Sequence, residues 1–193
     1  MKDFSSFIRE SRRIRELSLR SGAYPIAEEE AIIMYTVTFE RAALLKGLNV
    51  VEVGSGCGYS SLWLLKALED SGYINSSKMV MIEQNEERVK TIKKVLEKMG
   101  YTSYAEVWRG DAKKLLKQVD FTVHIAFLDA AKSEYHIYLK LLEPHLIAGS
   151  IVFAHNFREY YSMEKYAEII LKSGKYISSP LPTSLSLAIS IKT

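Results

Sequence analysis

A single cysteine, Cys57, stands in a chain of 193 residues. No disulfide can form within the chain, and zinc centres built from paired cysteines are excluded. No apolar run approaches the ~18 residues that a membrane-spanning helix needs. The opening MKDFSSFIRE carries charge where a secretory leader would carry an apolar core. The expectation is a cytoplasmic protein with no membrane partner. Repeats and low-complexity segments are absent. Charge of one sign is also scarce, the net value being only +3. That excess lies in the first 22 residues, where six basic residues face three acidic ones. Such a stretch can touch RNA or an acidic surface. The plainer reading is an amphipathic helix that turns Phe7, Ile8, Ile14 and Leu17 inward and leaves its charges in water.

The remaining composition, 48% hydrophobic and 25% charged, is that of a globular protein. The length fits one domain spanning 1–193. Residues 1–46 read as a helical extension and 47–193 as a core. Residues 3–20 have a helical pattern, broken by SGAYPI. A second helix covers 27–46, mostly apolar after Glu30 and ended by Gly47. An apolar helix of that kind is buried on more than one side, in the core or against a second subunit. Strand candidates then alternate with helix candidates. The strands are Val50–Val53, Met79–Ile82, Ala105–Trp108, Val123–Leu128, Ser150–Ala154 and Leu185–Ile191. The helices are Ser60–Glu69, Glu86–Met99, Ala112–Lys117, Ser133–Leu142 and Met163–Lys172. This alternation predicts an α/β fold: a Rossmann-like, doubly wound, mostly parallel sheet with helices on both faces and two helices before it. No helix precedes the last strand, which is expected to run antiparallel.

In such a sheet ligands bind beyond the carboxyl ends of the strands. After the first strand comes Gly54-Ser55-Gly56-Cys57-Gly58, a turn whose backbone can approach a ligand closely. A dinucleotide fingerprint would need glycine at 59, where Tyr59 stands. Cys57 has no apparent partner base and reads as a small loop residue. Glu83 follows the second strand, placed to accept hydrogen bonds from two ribose hydroxyls; it equally suits the start of the next helix. Asp111 follows the third strand and can meet an adenine amino group or cap a helix. Asp129 follows the fourth, and His155-Asn156 the fifth. Glu52, Glu83, Asp111 and Asp129 thus crowd one edge. Their field repels a pyrophosphate and attracts a cationic nucleoside, for which S-adenosylmethionine is the natural candidate.

The segments VVEVGSGCGYSSLWLL, MIEQNEERV, RGDA, IAFLDAAKSEY and IVFAHN follow the order of the class I S-adenosylmethionine-dependent methyltransferase motifs. The last two resemble the cation-dependent O-methyltransferases of the catechol and caffeoyl-coenzyme A type, over roughly 26–193. The resemblance implies a cofactor site made by Glu52, Gly54, Gly56, Gly58, Tyr59, Ser60, Glu83, Gln84, Asp111, Ala112 and Asp129. It implies a divalent cation on Asp129, His155 and Asn156, with Lys132 as the catalytic base, and a homodimer. The family usually carries aspartate where His155 stands. Oxygen ligands suit Mg²⁺ and imidazole suits softer transition metals, so the ion's identity stays open, as does a plain hydrogen-bonded histidine. A metal-bound hydroxyl gives up its proton more easily, and the oxyanion would then attack the sulfonium methyl.

The segments FREYYSMEKY and PTSLSL depart from the family where it shapes its acceptor pocket. Tyr160 and Tyr161 can stack on an aromatic acceptor or simply pack a loop. The leading expectation is methyl transfer to a hydroxyl of a small, catechol-like acceptor. The alternatives are a tRNA hydroxyuridine methyltransferase served by the basic helix and a non-catalytic cofactor-binding module. An NAD-linked oxidoreductase is disfavoured by Tyr59 and the acidic rim.

Overall fold

The structure, a computed structural model, describes residues 3–157 and 160–193. Seven strands form one sheet: β1 (Asn49–Val53), β2 (Lys78–Glu83), β3 (Ala105–Arg109), β4 (Val123–Leu128), β5 (Leu146–Ala154), β6 (Tyr176–Pro180) and β7 (Ala188–Lys192). Their order is β3-β2-β1-β4-β5-β7-β6. β1 pairs in parallel with β2 and β4, and the parallel run extends outward to β3 and β5. β7 is antiparallel to both of its neighbours. Six strands therefore run one way and one the other, which is the expected fold class.

The central strands are apolar on both faces because both faces are covered. Val50, Met79, Met81, Ile125 and Phe127 face α1 (Phe4–Arg20), α2 (Glu28–Leu45), α3 (Tyr59–Asp70) and α4 (Glu86–Met99). Val51, Val53, Val80, Ile82, Ala126 and Leu128 face α5 (Ala112–Leu115), α6 (Tyr135–Leu142) and α7 (Tyr160–Lys172). Helix ends follow local chemistry. Asn85 caps α4 by accepting from the Arg88 N–H at 3.0 Å, and Gly100 stops it at φ +82°.

The N-terminal helix is amphipathic as read, with one correction. Phe7 and Ile14 are buried, but Leu17 is 40% exposed. Ser11 and Ser18 take the remaining buried positions, their hydroxyls donating back to Ile8 O and Ile14 O. Phe7 packs edge-on against Trp63, ring centroids 5.0 Å apart, and so ties α1 to α3.

The last part of the sheet differs from expectation. β6 was not anticipated: its burial is weak and irregular, and Pro180 ends it, as suits an edge strand. β7 begins at Ala188 rather than Leu185. Between them residues 181–187 form a compact loop, with Leu181 N donating to Leu187 O at 2.7 Å. Among the described residues no helix is long and apolar enough to cross a membrane.

Candidate active site

The strand order reverses between β1 and β4, and their carboxyl ends open into a cavity of about 550 Å³. That is within the range of roughly 300–1,000 Å³ typical of small-ligand sites. The β1–α3 turn forms its floor. A Cβ on Gly54 would lie 2.2 Å from the Asp129 carbonyl oxygen, and φ there is +91°, so this position demands glycine. Gly56 also has positive φ, and its N–H donates to Glu83 Oε2 at 2.9 Å. Asn85 N donates to Glu83 Oε1 at the same distance. An ionised carboxylate has about four acceptor sites, so Glu83 retains two for a ligand. Asp111 caps α5 through Lys113 N at 2.9 Å and still lines the cavity.

Most of the expected cofactor set lines this space: Gly54, Gly56, Tyr59, Ser60, Glu83, Gln84, Asp111, Ala112 and Asp129, with Lys132 beside them. Two members do not. Glu52 is fully buried and accepts from the hydroxyls of Ser60 and Ser61. Burial pushes its carboxyl pKa up, against the pull of those hydroxyls. Its work is to hold the first turn of α3 beneath the loop, because its place on the strand points it at the helix layer. Gly58 is the left-handed N-cap of α3, φ +91°, and lies outside the cavity lining.

The segment between α1 and α2 was missed by sequence reasoning. Gly22, Ala23, Tyr24 and Pro25, with Ser18 at the end of α1, cover one side of the cavity. The Cys57 sulfur meets the Ser21 hydroxyl at 3.1 Å, and Arg88 donates to Ser21 O at 3.3 Å, so this segment is tied down across the loop. No motif marks it; only the helix break at SGAYPI shows that the chain turns there.

Asp129 stands at the edge of the cavity with Lys132 Nζ 3.3 Å from its Oδ1. Behind it lies His155, only 1% exposed. The imidazole bridges two carboxylates: Nδ1 is 2.9 Å from Asp129 Oδ1, and Nε2 is 3.2 Å from Glu30 Oε2, without good hydrogen-bond alignment. Glu30 also accepts from Thr183 Oγ1 at 2.7 Å and from Ala27 N at 3.0 Å. Burial alone would push the His155 pKa down. The hydrogen bonds and charges of Asp129 and Glu30 outweigh it and raise the value to about 9. Burial likewise works to raise Glu30, but its three donors hold it below the ordinary carboxylate range. The two carboxylates thus favour the protonated form of the ring.

The proposed cation ligands do not fit that ion. A metal sits about 2.0–2.1 Å from an imidazole nitrogen along its lone pair. Nδ1 is engaged by Asp129, Nε2 lies 3.2 Å from Glu30, and the ring separates the two carboxylates, so one ion cannot reach both. Asn156 has φ +57° and turns the chain out of β5. Among the described residues no three His, Cys, Asp or Glu side chains are arranged to hold a metal. Of the expected set Asp129, His155 and Asn156, the first two contact each other. The side chains of Tyr160 and Tyr161, expected near the acceptor, lie outside the described residues.

Residues 51–157 match the family described as a methyltransferase domain, more than half of the chain. The chain belongs to that family. A catechol O-methyltransferase of Niastella koreensis is 27% identical over 123 residues, which cover 60% of this chain and 52% of that protein. A protein-L-isoaspartate O-methyltransferase of Methanococcus maripaludis is 37% identical over 84 residues, 44% of this chain and 37% of its own. The chain thus matches about half or less of each relative's length. The solved O-methyltransferase of Bacillus cereus, in complex with S-adenosylhomocysteine, superposes with a TM-score of 0.82 at 16% identity, covering 100% of this chain and 92% of that one.

Two further features of this methyltransferase domain bear on its acceptor. Three arginines of the basic N-terminal helix, the stretch read as able to touch RNA, are each engaged within the chain. Arg12 forks onto Glu28, Arg13 pairs with Glu10, and Arg15 Nε reaches Ile26 O at 3.4 Å. Glu30 is the site residue that sequence reasoning passed over. It begins the buried stripe Glu30, Met34, Thr38, Ala42, spaced by four along α2. That spacing is the signal that would have separated it from Glu28 and Glu29, which read alike as helix-start charges.

Proposed function

We propose that this methyltransferase domain transfers a methyl group from S-adenosylmethionine to a hydroxyl oxygen of a small, catechol-like acceptor. The observation that carries the reading is the single cavity wall on which the glycine turn, Glu83, Asp111, Asp129 and Lys132 converge. The residues present fit the cofactor: Glu83 keeps free acceptor sites for ribose hydroxyls, and Asp111 offers an acceptor to an adenine amine. When bound, the cofactor supplies an electrophilic methyl group on a sulfonium. The chain's own part is to place an acceptor hydroxyl against Asp129, which takes its proton as the oxygen–carbon bond forms. Lys132, 3.3 Å from Asp129, donates to the same oxygen and steadies its developing charge. This departs from Lys132 as a base: beside a carboxylate and away from a metal, the lysine is a donor. Orientation in a covered cavity supplies much of the acceleration. No step is assigned to a divalent cation.

Calorimetry with S-adenosylhomocysteine, then transfer of labelled methyl to a panel of catechols and simple phenols, tests the reading. Heat with the nucleoside and label on an acceptor oxygen support it. Tight binding of NAD with no response to S-adenosylhomocysteine overturns it, and label on tRNA with none on phenols replaces the acceptor.

A further inference from the structure

We propose that the Glu30–His155–Asp129 chain occupies the place in which a divalent cation would be held, so that this protein binds no such ion there and His155 is instead the positioning residue for Asp129. The claim deepens the methyl-transfer reading and rests on it for the meaning of the site, while the geometry stands by itself.

Three elements meet at the ring. α2 contributes Glu30, β4 ends in Asp129, and β5 ends in His155. The parallel ladder fixes the last two side by side: Leu128 pairs with Ala154, and His155 N donates to Leu128 O at 3.0 Å. The loop before β7 closes the far side. Thr183 donates to Glu30 and accepts from Leu187 N at 2.9 Å, while Ser184 N donates to Glu29 Oε1 at 3.1 Å. Glu30 and His155 are both at most 1% exposed, so no channel for a hydrated ion reaches the space between them. Two carboxylates facing one another in a buried site need a positive group between them. A divalent ion would supply it where a third ligand is acidic. Here the His155 ring fills the space between them, with Nδ1 2.9 Å from Asp129 and Nε2 3.2 Å from Glu30, and takes the place an ion would need. Lys132, on the cavity side, completes a cluster of two acids and two bases. The consequence for Asp129 is orientation. Its Oδ1 is held by His155 Nδ1 from behind and Lys132 from the side, which leaves Oδ2 for an acceptor hydroxyl.

The test measures ion binding rather than turnover, with S-adenosylhomocysteine binding recorded on the same samples. Loss of the nucleoside signal alone would sink the methyl-transfer reading and leave the ion result intact. Protein stripped with EDTA is titrated with Mn²⁺ by electron paramagnetic resonance and by thermal melting. We expect no stoichiometric site in the wild type and no shift of the midpoint. His155→Asp places a third carboxylate beside Glu30 and Asp129 and should acquire one Mn²⁺. At 100 times its dissociation constant that ion would raise the midpoint by roughly 5–10 °C. One equivalent of Mn²⁺ on the wild type, lost in Asp129→Asn, overturns the proposal. So does a folded His155→Asp that acquires none. If that variant does not fold, proton NMR of ¹⁵N-histidine-labelled wild type decides. A downfield Nδ1–H that Asp129→Asn removes and Mg²⁺ leaves unmoved supports a ring that positions Asp129. Absence of that proton, or its displacement by Mg²⁺, refutes it.

Discussion

Raising the pH from 7 to 9.5 should destabilise this protein through one side chain, His155. Its pKa is about 9 in the folded chain against 6.5 for the free side chain. A group whose pKa is raised by folding adds stability below its unfolded pKa and loses it as pH climbs through the folded one. Glu30 from α2 and Asp129 from β4 face the ring, with Lys132 beyond Asp129. The full gain is about 3 kcal/mol, present below pH ~6.5 and gone well above pH 9. Between pH 7 and 9.5 about 2 kcal/mol of it is lost, which for a domain of this length lowers the melting midpoint by roughly 4–8 °C. The buried tyrosines do not confuse that window. Burial, reinforced by neighbouring carboxylates, pushes Tyr35, Tyr101 and Tyr138 upward, so they cost stability only once the unfolded phenols ionise near pH 10. The assay is a melting series by circular dichroism at constant ionic strength, on wild type and His155→Gln. The variant should be less stable at pH 7 and flat across the range. A variant with the wild-type slope would show that the ring carries no charge between its two carboxylates, and the electrostatic account of the site would fail.

Other outcomes follow from single positions. Gly54→Ala forces a Cβ against the Asp129 carbonyl at a left-handed φ, and should cost about 2–5 kcal/mol in chemical denaturation while weakening S-adenosylhomocysteine binding. Glu83→Ala should raise the dissociation constant for S-adenosylhomocysteine roughly 10- to 150-fold by calorimetry, the worth of a charged hydrogen-bond acceptor; an unchanged constant would remove Glu83 from the cofactor site. Lys132→Ala should lower kcat by roughly 100-fold or more and leave nucleoside affinity alone, since it is placed at the acceptor and not at the ribose. Equal losses in both would mean that it serves the cofactor.

Much of this fold was legible because its signals are local. Apolar runs a few residues long, separated by helical periods with Asn85 before one and Gly100 after it, allow one layered arrangement. That arrangement in turn says which residues sit at strand ends, so Glu83, Asp111 and Asp129 could be placed without any contact being known, while Lys132 came from the family resemblance. What escaped has a physical reason each time. β6 is an edge strand with few apolar residues, so it carries no alternation to read. Leu17 is exposed because Ser11 and Ser18, their hydroxyls bonded back to the helix, take the buried positions beside Phe7 and Ile14. Thr183 lies in an irregular loop and reaches Glu30 across 153 positions of sequence, a pairing that no periodicity encodes.

Glu52 shows where strand-end reasoning needs a second condition. Four acidic residues were read as one field, yet the alternation within β1 sends Glu52 into the helix layer, where two serine hydroxyls satisfy it. It lies one pleat short of the strand's end. Position along a strand selects candidates for a site, but the side's parity decides whether a carboxylate meets ligand or core. The same logic accounts for His155. It follows β5 at the position after Ala154, on the side where Glu30 arrives from α2. A histidine between one buried acid and one at the cavity edge is a charge-balanced element that borders the cavity. The acidic edge therefore consists of Glu83, Asp111 and Asp129, and Asp129 alone among them is countered from behind by a cation built into the fold.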